Sequence, residues 1–79
     1  MQVNIIYFAS LRDASQKSNE RYTTESESID SLFDELHEKY NFSLSKKDLR
    51  VALNEEYVDF SSKFNNGDTI VFIPPVAGG

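Results

Sequence analysis

Cysteine is absent from this chain of 79 residues, histidine occurs once, and glycine only three times. Without cysteine there is no disulfide and no thiolate metal site. His37 has no second histidine or cysteine near it in sequence, so it reads as a surface residue rather than a zinc ligand. Gly67 is the only glycine ahead of the final pair, which rules out a glycine-rich phosphate loop. No hydroxyl stands in a nucleophile-elbow pattern. No apolar run approaches the ~20 residues that cross a bilayer, and Met1-Gln2-Val3-Asn4 lacks the basic cluster of a signal peptide. Basic side chains are also scarce: Lys46-Lys47 is the one adjacent pair, and the net charge is −5. An acidic chain repels phosphate backbones, so neither nucleic acid nor membrane is expected as a partner, and a basic protein surface is. The lack of cysteine suits a reducing compartment, and the expected location is cytoplasmic.

What is present is one small domain. A chain this short buries about 60–65% of its unfolded surface, enough for one modest core. Val3-Asn4-Ile5-Ile6-Tyr7-Phe8 reads as a strand that is apolar on both faces. Leu11 and Ala14 suit one helical turn, and Glu20 to Glu25 an exposed edge strand. Ser28 is a helix N-cap, followed at helical spacing by Ile29, Leu32, Phe33, Leu36 and Tyr40, with Asn41 as the stop. Asp30, Asp34, Glu35 and Glu38 read as the solvated face of that helix. Phe42 to Asp48 is a loop, Arg50 to Asn54 a strand, and Tyr57 to Phe60 a short strand pairing back. Asn65-Asn66-Gly67-Asp68 makes a turn into the last strand, Thr69 to Ile73, which Pro74-Pro75 ends.

The first and last strands are the most apolar, which places them side by side in the middle of a sheet. With one helix across one face, the pattern is α+β: a β-grasp, the ubiquitin-like roll, with a mixed sheet of four to five strands. Val3, Ile5, Tyr7, Ile70 and Phe72 are assigned to the helix side. Ile6, Phe8, Val71 and Ile73 then point away from it. Either loops cover this second apolar group or it is a protein interface. The carboxylates Glu25, Glu27, Glu55 and Glu56 are surface charge available to a basic partner.

Residues 1–75 are read as the folded body and 76–79 as a tail. After Asp68 no charged side chain remains, and five residues from Pro75 to Gly79 reach about 17 Å when extended. Glycine permits close approach and leaves the terminal carbonyl carbon unshielded. Such an end suits presentation of an α-carboxylate in a narrow pocket of another protein. The carboxylate is inert until activated, most simply as an acyl-adenylate. The plain alternative is an idle, frayed terminus.

Three stretches resemble the MoaD-type small subunit of molybdopterin synthase: Ile5 through Asp13, Asn66-Gly67-Asp68, and Phe72-Ile73-Pro74-Pro75-Val76-Ala77-Gly78-Gly79. The two prolines before the glycine pair are its most specific part. The resemblance implies a sulfur carrier that binds no cofactor itself. Gly79 would be adenylated by a MoeB-like enzyme using ATP and Mg, then converted to a thiocarboxylate. The tail, Pro75, Val76, Ala77 and Gly78 leading to Gly79, would enter a MoaE-type large subunit and pass sulfur to cyclic pyranopterin monophosphate. Catalysis would belong to that large subunit, in a heterotetramer of two small and two large chains. Phe8, Tyr57 and Ile73 match the family's apolar contact positions, with Ile6 and Val71 beside them; Tyr57 replaces the more usual aliphatic residue. A carrier feeding thiamine or tRNA thiolation, a ubiquitin-like modifier and a plain interaction domain are the other readings.

Overall fold

Alternation of apolar side chains on both faces drives the first and last strands together. In the computed structural model, which describes residues 1–75, β1 (Gln2–Tyr7) lies parallel to β5 (Thr69–Ile73), with Ile5 opposite Ile70 and Tyr7 opposite Phe72. Between them in sequence come α1 (Ala9–Ser15), β2 (Asn19–Thr23), α2 (Ile29–Tyr40), a 3₁₀ turn at Lys46–Asp48, β3 (Arg50–Leu53) and β4 (Glu56–Val58). The five strands run in the order β2-β1-β5-β3-β4, with every pairing except β1–β5 antiparallel. The predicted β-grasp is therefore present. β5 holds the centre of the sheet, and β1 is its neighbour.

The helix-side assignment holds: Val3, Ile5, Tyr7, Ile70 and Phe72 are each at most 1% exposed. They form one core with Ile29, Leu32, Phe33 and Leu36 of α2, and Phe33 meets Phe72 edge-on at 5.4 Å between ring centres. Full burial of an apolar side chain of this size stabilises by about 1.5–3 kcal/mol. Ser28 caps α2 as its residue type predicts, accepting from the Ser31 N–H at 3.3 Å. Asn41 ends the helix in the left-handed conformation at φ 56°. Two backbone bonds outside the helix, from Ile29 N–H to Ser62 and from Asp30 N–H to Phe60, fix its start against the segment after β4.

The structure departs from the sequence reading in several places. β1 stops at Tyr7; Phe8 is instead the extended residue that enters α1. That helix has seven residues and buries Leu11 and Ser15, while Ala14 is exposed. β2 is Asn19–Thr23, one residue earlier at its start than predicted. β4 ends at Val58, and Phe60 lies beyond it, half-buried against the core. Phe42 lies in the predicted loop, but it is buried in the core, its ring tilted against those of Phe33 and Tyr7. Glu35 is not a freely solvated helix carboxylate. It accepts hydrogen bonds from the hydroxyls of Tyr22, Thr24 and Ser26.

Candidate functional site

Side chains alternate across a strand, so the register of the ladders decides which residues share the face turned away from α2. Ile6 of β1 is opposite Val71 of β5, Val71 is opposite Ala52 of β3, and Ala52 is opposite Tyr57 of β4. These four positions form one row across the sheet, about 14 Å long at the usual strand spacing. Ile73 continues the face at the end of β5, and Phe8, just past the end of β1, lines one hollow with Ile6. Phe8 is 47% exposed and Tyr57 68%, whereas Ile6, Val71 and Ile73 are half-buried. No loop among the described residues closes over Phe8 or Tyr57, which favours the interface alternative for this apolar group.

Every contact position proposed from the sequence — Phe8, Tyr57, Ile73, Ile6 and Val71 — therefore falls on one continuous face. The sequence reading missed Ala52 and Arg50 on that face, although the alternation Arg50-Val51-Ala52-Leu53 carries the signal. Val51 is buried toward the helix side, and Arg50 is exposed, with its guanidinium 6.0 Å from the centre of the Tyr57 ring. A shallow hollow of about 600 Å³ lies at the β1–β2 end, lined by Ile6, Phe8, Arg12, Asn19 and Arg21.

The face leads directly to the tail. β5 ends at Ile73, Pro74 is half-buried, and Pro75 is exposed. Neither proline can donate to a ladder, so the central strand cannot continue. Val76, Ala77, Gly78 and Gly79, named from the sequence as the working end, lie outside the described residues.

The titratable cluster in the body lies on the opposite side of the sheet. Glu20 accepts from Tyr7 Oη at 2.5 Å, Tyr40 Oη at 2.7 Å and Lys17 Nζ at 3.0 Å. Burial alone would raise its pKa, but the three donors outweigh burial and hold the carboxyl below its ordinary range. Burial, reinforced by the bond to Glu20, pushes the Tyr7 phenol far up. Glu35 repeats the pattern: burial opposes ionisation, and donors from Tyr22, Thr24 and Ser26 overcome it. These groups tie β2 to α2, and Tyr7 and Glu20 also border the hollow at the β1–β2 end. Asp30 and Asp34 both pair with Lys46, and His37 is exposed, edge-on to Phe42. No helix among the described residues is long and apolar enough to cross a membrane.

Comparison with known proteins agrees with this architecture. The model of the ThiS family matches residues 5–79. The molybdopterin synthase sulfur carrier subunit of Haemophilus influenzae is 33% identical, over 98% of this chain and 99% of its own length. A chain in the complex of subunits 1 and 2 of molybdopterin-converting factor from Helicobacter pylori superposes with a TM-score of 0.70 at 25% identity, with both chains fully covered. SAMP1 from Haloferax volcanii shares the fold, with a TM-score of 0.80 at 19% identity over the whole of both chains. By the family match and by its identity to a full-length relative, the chain belongs to the ThiS family, among its MoaD-type small subunits.

Proposed function

We propose that this chain is the sulfur carrier subunit of a molybdopterin synthase, with Gly79 as the residue that carries sulfur. The observation that carries the reading is the join between an open apolar face and a central strand stopped by Pro74-Pro75, from which the sequence runs straight to Gly78-Gly79. A body built this way docks through Phe8, Ile6, Val71, Ile73 and Tyr57, and delivers Val76 to Gly79 into its partner's pocket.

The chemistry resides at the terminal carboxyl. A MoeB-like enzyme, using ATP and Mg, joins AMP to the Gly79 carboxylate and releases pyrophosphate. Sulfide then attacks the carbonyl carbon, AMP leaves, and a thiocarboxylate remains. A MoaE-type large subunit accepts the tail; the thiocarboxylate sulfur attacks cyclic pyranopterin monophosphate to form a thioester link, and water cleaves the bond to the Gly79 carbonyl carbon, leaving sulfur on the pterin and returning the Gly79 carboxylate. Two such transfers complete the dithiolene, in a heterotetramer with one small subunit at each end. The carrier works in the cytoplasm, binds no cofactor of its own and contributes no catalytic group from residues 1–75.

Intact-protein mass spectrometry after incubation with the activating enzyme, ATP and a sulfur donor tests this. The expected product is heavier by the exchange of one oxygen for sulfur, located on Gly79. Conjugates to lysine side chains would identify a protein modifier instead. Removal of Gly79 is expected to abolish molybdopterin formation in a purified system while leaving the melting temperature unchanged. A truncated chain that still supports the reaction would exclude the proposal.

A further inference from the structure

The chain has three arginines, Arg12, Arg21 and Arg50, and the fold brings all of them to the helix-distal face or its rim. Arg21 is opposite Asn4 in the β1–β2 ladder, and Arg50 is opposite Ile73. Asn4 and Ile73 belong to that face by alternation, so their partners do too. Arg12 lines the same hollow as Ile6, Phe8 and Arg21; Glu20 also borders it, with its carboxylate bonded to Tyr7, Tyr40 and Lys17. All three are exposed, and none forms an ion pair with a carboxylate of the described residues, in a chain with 13 acidic side chains. Among the five lysines, Lys17 pairs with Glu20, and Lys46 with Asp30 and Asp34. No strand position on this face holds an acid among the described residues. Asp59 stands beyond the end of β4, where it lines a hollow with Arg50 and Tyr57.

We propose that the protein surface docking on this face is apolar at its centre and acidic at its edges, and that Arg21 and Arg50, at opposite sides of the sheet, select and steer it. This rests on the carrier reading above and specifies the large subunit's chemistry. The guanidinium plane matches a carboxylate through two parallel hydrogen bonds and is less costly to desolvate than an ammonium. Arginine around an apolar centre is the usual composition of a protein interface. A nucleic-acid surface would place its cations on a chain of net positive charge, whereas this one carries −5. The local sign of the docking face is opposite to that of the whole molecule. An acidic partner is therefore attracted in one orientation and repelled in the others.

Stopped-flow association of the full chain with the large subunit from the same cell tests this. Raising NaCl from about 0.05 to about 0.5 M is expected to slow association about tenfold or more. The double variant Arg21→Glu, Arg50→Glu is expected to lose about tenfold at low salt and to flatten the salt dependence. Glu38→Lys, on the far side of α2, changes net charge without touching the face and is expected to stay within about twofold. Salt-insensitive association, or equal responses to the near and far reversals, would overturn the inference. So would binding of a single-stranded RNA oligomer that the double variant loses. The wild-type pair is assayed for molybdopterin in parallel. If it makes none, the functional reading fails; if it does and the reversals leave association untouched, only the steering claim fails.

Discussion

Glu20 gathers three donors in a partly buried position, and its ionisation is coupled to folding for that reason. Its folded pKa lies below the ordinary value of 4.5, so the stabilisation is complete above that pH and is lost as pH falls through the folded value. Glu20→Gln removes this dependence and leaves an amide that donates where the site supplies only donors. The variant is expected to be less stable at neutral pH, with the gap to the parent closing in acid. Urea midpoints measured from about pH 2 to about pH 7 check the sign; parallel curves would show that Glu20 is not the coupled group. Phe8 answers the opposite kind of question, since it is half exposed and supports little of the core. Phe8→Asp is expected to raise the Kd for the large subunit about tenfold or more with an unchanged melting temperature. Unchanged affinity by calorimetry would remove Phe8 from the interface.

The β3–β4 hairpin turns through two residues with positive φ, Asn54 at 50° and Glu55 at 74°. Asn54 suits this, because its amide also accepts from the Thr69 N–H and donates to Asp68, fixing the hairpin to the start of β5. Glu55 makes no such bond and is a strained choice where Asn-Gly is the favoured pair. Glu55→Gly is expected to stabilise by about 1 kcal/mol, while Glu55→Ala gains nothing; a urea midpoint that falls for the glycine variant would refute the strain. The same contrast explains what was legible in the sequence. α2 was readable to the residue because Ser28, five apolar side chains at helical spacing and Asn41 all agree. β5 was readable because Gly67, at φ 89°, and Pro74 bracket it. α1 was readable only as one turn around Leu11 and Ala14, not in its bounds, because a seven-residue helix with one large buried side chain, Leu11, shows no period to detect. Phe42 and Phe64 escaped as core because each plugs the core from a segment with no repeat of its own. The face at the candidate site was half legible: alternation in β1 and β5 exposed its apolar centre, but its arginine edges depend on which strands are neighbours, and that is set by long-range pairing.

That pairing gives the molecule a division of labour. β5 bonds to β1 on one side and to β3 on the other, and brings Ile70 and Phe72 into the core with no exposed surface. Without it the sheet separates into the β1–β2 and β3–β4 pairs, and isolated two-stranded units are at best marginally stable in water. The chain therefore cannot be a folded body until its last strand is in place. Past Ile73 the requirement ends, since Pro74 is only half-buried and Pro75 is exposed. The proposed carrier role places the boundary between fold and chemistry at this proline pair, with the docking face before it and the four sulfur-delivering residues after it. Two truncations test the boundary. A chain ending at Asp68 is expected to show no cooperative melt. One ending at Pro75 is expected to melt within about 2 °C of the full chain, a shift that corresponds to well under 1 kcal/mol for a domain of this size, and to bind the large subunit while transferring no sulfur. A cooperative transition in the shorter chain would deny β5 its central role. A large loss of stability in the longer one would mean that residues 76–79 belong to the fold, and the carrier reading would then lose its free end.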